Sequence, residues 1–171
     1  MPFELQPVLK TDLIELRPLR WNDFDELFAV ASDPLIWEQH PNRDRYQLDV
    51  FRGFFRQGME SGGALIAIDP GNGRAIGSSR FHGYDEARSE IEIGWTFLAR
   101  SYWGGAHNGA MKQLMLRHAF RFVERVLFFV GPGNVRSQKA MEKIGGVCLG
   151  LRPDSSGREA MAYQITASQF L

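Results

Sequence analysis

One cysteine in 171 residues, Cys148, leaves no intrachain disulfide and no multi-cysteine zinc site. Between Val147 and Leu149 it reads as a buried strand thiol and not a nucleophile, and a chain without disulfides suits a reducing compartment, so a cytoplasmic location is expected. Net charge is absent as well: 20 Lys and Arg stand against 20 Asp and Glu, with no block of either sign. Composition therefore offers nothing to capture nucleic acid or an anionic membrane, and it argues against a strongly cationic partner. Long apolar runs are missing. Stretches such as Val126 to Val130 fall far short of the roughly 18 residues needed to cross a bilayer, and the opening residues alternate without a leader pattern. Gly and Pro are scattered as punctuation, no repeat is visible and no linker divides the chain, so a single domain over 1–171 is expected.

What is present is core material, 44% apolar and 12% aromatic. Leu13 to Leu19 alternates and stops at Pro18, as a first strand would. Asn22 offers a helix N-cap ahead of Asp23, Asp25 and Glu26, with Phe24, Leu27, Phe28 and Ala31 as the apolar stripe. Leu48 to Glu60 carries Val50, Phe51, Phe54, Phe55 and Met59 at helical spacing and ends at Gly62. Ala64 to Ile68 and Ala75 to Phe81 flank the turn Asp69-Pro-Gly-Asn-Gly73 as a hairpin. Glu90 to Phe97 alternates, with Ile91, Ile93, Trp95 and Phe97 on one face and Glu90, Glu92, Gly94 and Thr96 on the other. Ala110 to Val123 shows Met111, Leu114, Met115, His118 and Phe122 along one helical face and Lys112, Arg117, Arg121 and Glu124 opposite. Val126 to Val130 reads as a strand buried on both faces, Asn134 to Ile144 as a capped helix, and Val147 to Leu151 with Ala160 to Thr166 as a last strand pair. The order predicts an α/β (α+β) fold: a single mixed, mostly antiparallel sheet of about seven strands with helices on both faces.

Two strand-to-helix turns look like anion sites. In Ser101-Tyr-Trp-Gly104-Gly105-Ala106-His107-Asn108-Gly109, small residues let successive amides converge on a phosphate at a helix N-terminus; a flexible glycine turn is the alternative. In Gly131-Pro-Gly133-Asn134-Val-Arg136-Ser137, Arg136 stands where a dinucleotide fingerprint needs its third glycine, and no P-loop motif occurs. Asn134 and Ser137 share one helix face there, either as an ordinary cap or as site groups. The four histidines have no ligand spacing, so no metal is expected, and His118 reads as a core residue. Glu90 and Glu92 share the strand face opposite the aromatics, with Gly94 leaving room above the sheet; a solvated edge pair is the alternative account.

At these residues the sequence resembles the GCN5-related N-acetyltransferase (GNAT) superfamily, in particular the branch of ribosomal-protein alanine N-acetyltransferases. Thr11 to Leu19 with Ser32-Asp-Pro34 is similar to that branch's first strand and helix. Ile91-Glu-Ile-Gly-Trp95 followed by Tyr102-Trp-Gly-Gly-Ala106 resembles its fourth strand and pyrophosphate loop, and Asn134 to Ser137 with Met141 to Gly145 its next helix. Ser101 departs from the family's Gln or Arg at the start of that loop. His107-Asn-Gly-Ala110 departs from the branch's aromatic-Ala-Thr-Glu.

The resemblance implies that strands four and five splay at a bulge and hold acetyl-CoA, the only cosubstrate expected, between them. Thr96, Phe97, Leu98 and Ala99 would hold pantetheine, and Gly104, Gly105, Ala106, His107 and Asn108 the pyrophosphate. Asn134 would order the pantetheine or Ser137. A primary amine, small molecule or protein N-terminus, would attack the thioester directly. Glu92 is the first candidate base and Glu159 the second, Ser137 is the candidate proton donor to the thiolate, and Trp37, His40 and Tyr84 are expected to line the acceptor pocket. A non-catalytic acyl-CoA-binding module and a nucleotide-binding oxidoreductase are the competing classes; a homodimer is compatible with the sequence, which does not set the oligomeric state.

Overall fold

Alternating apolar and polar residues build eight strands, and their hydrogen bonding fixes one open sheet. In the computed structural model, which describes residues 2–170, these are β1 (Leu9–Lys10), β2 (Glu15–Pro18), β3 (Ala64–Asp69), β4 (Arg74–Asp85), β5 (Glu90–Leu98), β6 (Arg125–Val130), β7 (Val147–Pro153) and β8 (Glu159–Thr166). They lie in the order β1-β2-β3-β4-β5-β6-β8-β7. Every neighbouring pair is antiparallel except β5 and β6. The strand beyond the expected seven is β1, two residues too short to show a period. The helices are α1 (Phe24–Ala31), α2 (Leu48–Ser61), α3 (His107–Ala119), α4 (Val135–Lys143) and α5 (Ala167–Phe170). No helix among the described residues is long and apolar enough to cross a membrane.

Each face of the sheet has its own core. Leu27, Ala31, Phe51, Phe54 and Phe55 from α1 and α2 meet Ile66 and Phe97 on one side. Met111, Met115, Leu116 and Ala119 from α3 meet Leu65, Ile91, Ile93 and Phe128 on the other. Gly62 ends α2 at φ 71°, a left-handed turn that glycine enters without Cβ strain.

Several expectations change. Asn22 caps nothing: a 3-10 turn over Trp21–Asp23 precedes α1. There Asp23, nearly buried, accepts the Arg20 amide at 2.8 Å and a two-pronged pair from Arg17 at 2.9 and 2.8 Å. That arginine and the amide hold the Asp23 carboxyl below its usual range against the opposing effect of burial. Cys148 is exposed, because β7 is the edge strand and not an interior one. In β6 only Val126, Phe128 and Val130 are fully buried, so this strand covers one core and leaves Leu127 and Phe129 half open on the other face.

The largest change is in β5. Its alternation breaks because Arg80 pairs with Gly94 while Ser78 pairs with Phe97, three residues of β5 against two of β4. The extra residue is a bulge at Trp95, with φ 53°. Beyond it the phase reverses: Ile91 and Ile93 face the α3 core, whereas Trp95 and Phe97 join the α1/α2 core.

β4 matches this bend by close approach. A Cβ on Gly77 would lie 2.0 Å from the Phe97 carbonyl oxygen. Gly77→Ala is therefore expected to destabilise the fold by about 1–3 kcal/mol, since backbone and not a flexible side chain must move. Chemical denaturation checks this; an unchanged midpoint would mean that β4 and β5 are not held this tightly.

Candidate active site

The parallel ladder between β5 and β6 is short: Glu90 to Arg125, Ile91 to Val126 and Glu92 to Leu127. Beyond it β5 runs on against β4 to Leu98, and β6 runs on against β8 to Val130, without pairing each other. Two strand edges thus face one another across a slot. Both strands lead at that end into a loop and a helix, β5 into α3 and β6 into α4. The positive ends of two helix dipoles are therefore placed at the end where the strands have parted.

On the α3 side the connecting loop is anchored at three points. Trp103 Nε1 donates to the Leu98 carbonyl at 2.9 Å, Tyr102 Oη donates to Asp69 Oδ2 at 2.6 Å, and Arg100 pairs with Asp33. Gly104 has φ 73°, and after Trp103, whose amide bonds the Arg100 carbonyl, the next amide with a backbone acceptor is Ala110, bonded to Ala106. The amides from Gly104 to Gly109 have none, which is the chemistry of an anion nest. Thr96, Phe97, Leu98 and Ala99 form the β5 edge beside it, though the Leu98 carbonyl is committed to Trp103 and the Ala99 amide to Ile76.

Under this edge lies a residue that the sequence reading put on the solvent side. Lys112 is 7% exposed. Its Nζ donates to Thr96 Oγ1 at 2.7 Å, and that oxygen lies 2.8 Å from Ser79 Oγ. The same Nζ stands 5.5 Å from the centre of the Phe128 ring. The amine therefore spans the floor of the slot between β5 and β6 with no acid beside it, and burial lowers its pKa to about 7.

On the α1/α2 side stands Glu92. Its carboxylate makes no hydrogen bond or ion pair with the described residues. A Cβ on Gly94 would sit 3.2 Å from its Oε2, so Gly94 does leave the room expected of it. Burial, reinforced by the charge of Asp154 and opposed by Arg80, raises Glu92 to about 7. Of the other expected residues, His40 is close to this face, its Nδ1 accepting the Asn42 amide at 2.9 Å. Burial and the charges of Arg45, Arg158 and Arg136 lower it to about 3, so it is neutral.

Trp37 lines no open pocket. It is 1% exposed, donates Nε1 to the Ala31 carbonyl at 2.9 Å and braces His40 edge-on. Tyr84 lies on the wrong face: past the positive-φ Gly83 it packs against Phe3 in the α3 core. Glu159 is exposed at the start of β8, and the hairpin acid whose field reaches Glu92 is Asp154.

On α4, Asn134 is buried and is the N-cap, accepting the Ser137 amide at 3.3 Å; the Ser137 hydroxyl makes no hydrogen bond to the described residues. Arg136 does what a third glycine could not. Its Nη2 donates to the Ile36 carbonyl at 3.1 Å and its guanidinium lies 3.8 Å from the centre of Trp103. It ties the segment after α1 to the α3 loop. A cleft of about 770 Å³ between α1, the start of β4 and 99–101 shares Ala99 with the slot but neither Glu92 nor Ser137. No group of three or more His, Cys, Asp or Glu among the described residues could hold a metal.

Sequence reasoning missed Lys112, Arg80, Arg45, Arg136 and Asp154. Lys112 was legible: Met115, Leu116 and Ala119 follow it at intervals of three, four and seven, which places it on the apolar stripe. Arg80 was signalled as a lone cation inside the apolar strand Ala75 to Phe81.

Comparison with known proteins agrees with this geometry. The profile of the acetyltransferase (GNAT) domain matches residues 14–147. The fold is similar to a GCN5-related N-acetyltransferase from Brucella melitensis, with TM-score 0.85 and 18% identity over 99% of this chain and 82% of that one. It is similar to an acetyltransferase (GNAT family) from Bacillus anthracis, with TM-score 0.76 and 20% identity over 94% and 98% of the two chains. It is also similar to RimJ of Mycobacterium smegmatis, solved in complex with CoA-disulfide, with TM-score 0.73 and 19% identity over 95% and 87%. At these identities the structures establish the fold alone. No curated protein sequence matches the chain.

The buried amine gives a stability test. Lys112 falls from 10.5 in the unfolded chain to about 7 in the native one, so between those values the unfolded state holds the extra proton and stability rises with pH. Lys112→Met is expected to remove that rise and, below pH 7, to be at least as stable as the parent, because an apolar chain of similar volume has no charge to desolvate. Thermal melts from pH 6 to 10 check this; parallel curves for the two proteins would contradict a desolvated Lys112.

Proposed function

Because the chain belongs to the acetyltransferase (GNAT) family, we propose that it is an enzyme moving an acetyl group from acetyl-CoA to a primary amine by direct attack of the amine on the thioester. The observation that carries this reading is the parting of β5 and β6 beyond Glu92, with an unpaired strand edge on each side and two helix N-termini at its mouth. An extended arm with amide groups, such as pantetheine, satisfies the groups of the β5 edge that remain open beyond Glu92, the Leu98 carbonyl and Ala99 amide being already bonded, as an added strand would. The amides of Gly104 to Asn108 offer donors to the pyrophosphate without a lysine.

The residues divide the chemistry between the two faces. Glu92, raised to about 7, is poised to take the proton of an ammonium arriving from the α1/α2 side, so that the neutral nitrogen attacks the carbonyl carbon. Lys112, largely neutral at the pH where Glu92 is ionised, holds the β5 edge from the α3 side through its hydrogen bond to Thr96. As the C–S bond breaks, the uncommitted hydroxyl of Ser137 donates to the departing thiolate. Asn134 supports it by fixing the first turn of α4, and Asp154 supports Glu92 by raising its basicity. Holding amine and thioester in one slot contributes further, up to about 7–11 kcal/mol for well-aligned groups.

The test is transfer to a panel of primary amines followed against pH. The acid limb of kcat/KM is expected near pH 7, where Glu92 ionises. In Glu92→Gln that limb should vanish, with the rate at neutral pH down by roughly 10²- to 10⁴-fold and recovering as the amine deprotonates unaided. Ser137→Ala should lower kcat more than it weakens acetyl-CoA binding. A Glu92→Gln profile of wild-type shape would remove Glu92 from the mechanism. Absence of calorimetric acetyl-CoA binding would overturn the reading as a whole.

A further inference from the structure

The α1/α2 side of the slot holds more positive charge than the protein neutralises. Arg80 is 5% exposed, its Nε has no hydrogen-bond partner, and its guanidinium stacks 4.4 Å from the centre of Trp95 and 5.7 Å from that of Phe54. It shares the sheet face of Glu92 two residue pairs along, since Arg80 pairs with Gly94 and His82 with Glu92, yet no ion pair forms between them. A second guanidinium, Arg45, lies 4.4 Å from the centre of the same Phe54 ring. Burial and the repulsion of Arg80 depress Arg45 to about 10, and burial depresses Arg80 likewise to about 10.

His40 adds a donor to this cluster. Its Nδ1 accepts the Asn42 amide, so the neutral ring carries its proton on Nε2, and Nε2 lies 3.4 Å from Arg45 Nη1. Two donors meet with no acceptor between them. Arg158 closes the far side, bonded through Nη1 to Asn42 Oδ1 at 3.2 Å. The acids whose fields reach these groups are Asp44 at Arg45, Glu92 at Arg80 and Asp154 at Glu92, and none pairs with Arg45 or Arg80. A buried guanidinium without an acceptor is costly, and a carboxylate or phosphate supplied from outside satisfies its fork with two parallel bonds.

We propose that the acceptor is an amine carrying its own anionic group, a carboxylate or phosphate a few bonds from the nitrogen, held by Arg80, Arg45 and His40 while the nitrogen reaches Glu92. The proposal rests on the acetyl-transfer reading of the slot and narrows its substrate class. It also gives the neutral His40 a purpose, as a donor and not a base. The absence of excess acidic surface in the composition agrees with an acceptor that is not polycationic.

Matched acceptors test it: an α-amino acid against its primary amide, phosphoethanolamine against ethanolamine, and a dipeptide with Asp second against the same dipeptide with Asn. The anionic member of at least one pair is expected to show kcat/KM higher by about 10- to 100-fold, the scale of hydrogen bonds to a charged group. Arg45→Gln or Arg80→Gln should bring that ratio toward one, mainly through KM, and Arg80→Lys should restore it only in part. Which pair responds separates carboxylate from phosphate and free amino acid from peptide. Equal or better transfer to the neutral members, or equal losses for both members in the arginine variants, would overturn the proposal. Calorimetry of the same acceptors with protein saturated with CoA reads the anion site without turnover. Preferential binding of the anionic members, lost in Arg45→Gln, would support it even if no acetyl transfer occurred, and that combination would instead sink the acetyl-transfer reading.

Discussion

The extra residue at Trp95 decides what the two halves of β5 can do. Before it, β5 pairs with both β4 and β6; after it, the strand follows β4 alone and its other edge is open. A bulky residue at φ 53° is strained by roughly 1–3 kcal/mol, and the surroundings that hold it there are the ones the site uses. Arg80 stacks on its ring and His82 meets it edge-on, while Phe97, pushed into opposite phase, packs against Trp37, Phe51 and Phe54. The bulge thus both opens the slot and turns aromatic residues toward its α1/α2 side.

The two faces then acquire different chemistry. On the α3 side, Lys112, Thr96 and Ser79 form a short polar chain inside an otherwise apolar core, and the α3 loop is clamped by Tyr102, Trp103 and Arg100 so that its amides stay free. On the other side Glu92 is kept basic while guanidinium groups are kept unpaired. Arg136 joins the faces by bonding Ile36 and covering Trp103, and Gly131 lets Pro41 come so close that a Cβ there would lie 2.4 Å from its Cγ. The segment bearing His40 and Arg45 is thereby fixed over the slot.

Much of this was legible in the chain. The order of elements along the chain, the hairpin at Asp69 to Gly73, the α3 loop and the capped start of α4 follow from turn residues and periodicity, because those signals are local. The room beside Glu92 could be read from Gly94, which has no side chain. What failed depended on phase or on tertiary neighbours. Alternation through Trp95 assumed a regular strand, and one inserted residue moved Trp95 and Phe97 across the sheet. Trp37 and Tyr84 are aromatic residues near the site in sequence terms, yet their contacts put one in the core and the other beside Phe3. Lys112 was assigned by its charge to the solvent face although its spacing pointed inward, and Cys148 was judged by its apolar neighbours without knowing that β7 is an edge.

Amide hydrogen exchange with and without acetyl-CoA tests the central claim most directly, since it reads the open strand edge itself. Slower exchange is expected for the β5 amides of Thr96 to Leu98 that face the slot and for those of Gly104 to Asn108 when acetyl-CoA is present, with β7 unchanged. Unaltered exchange in both segments at a saturating concentration, or protection confined to another part of the sheet, would contradict the account.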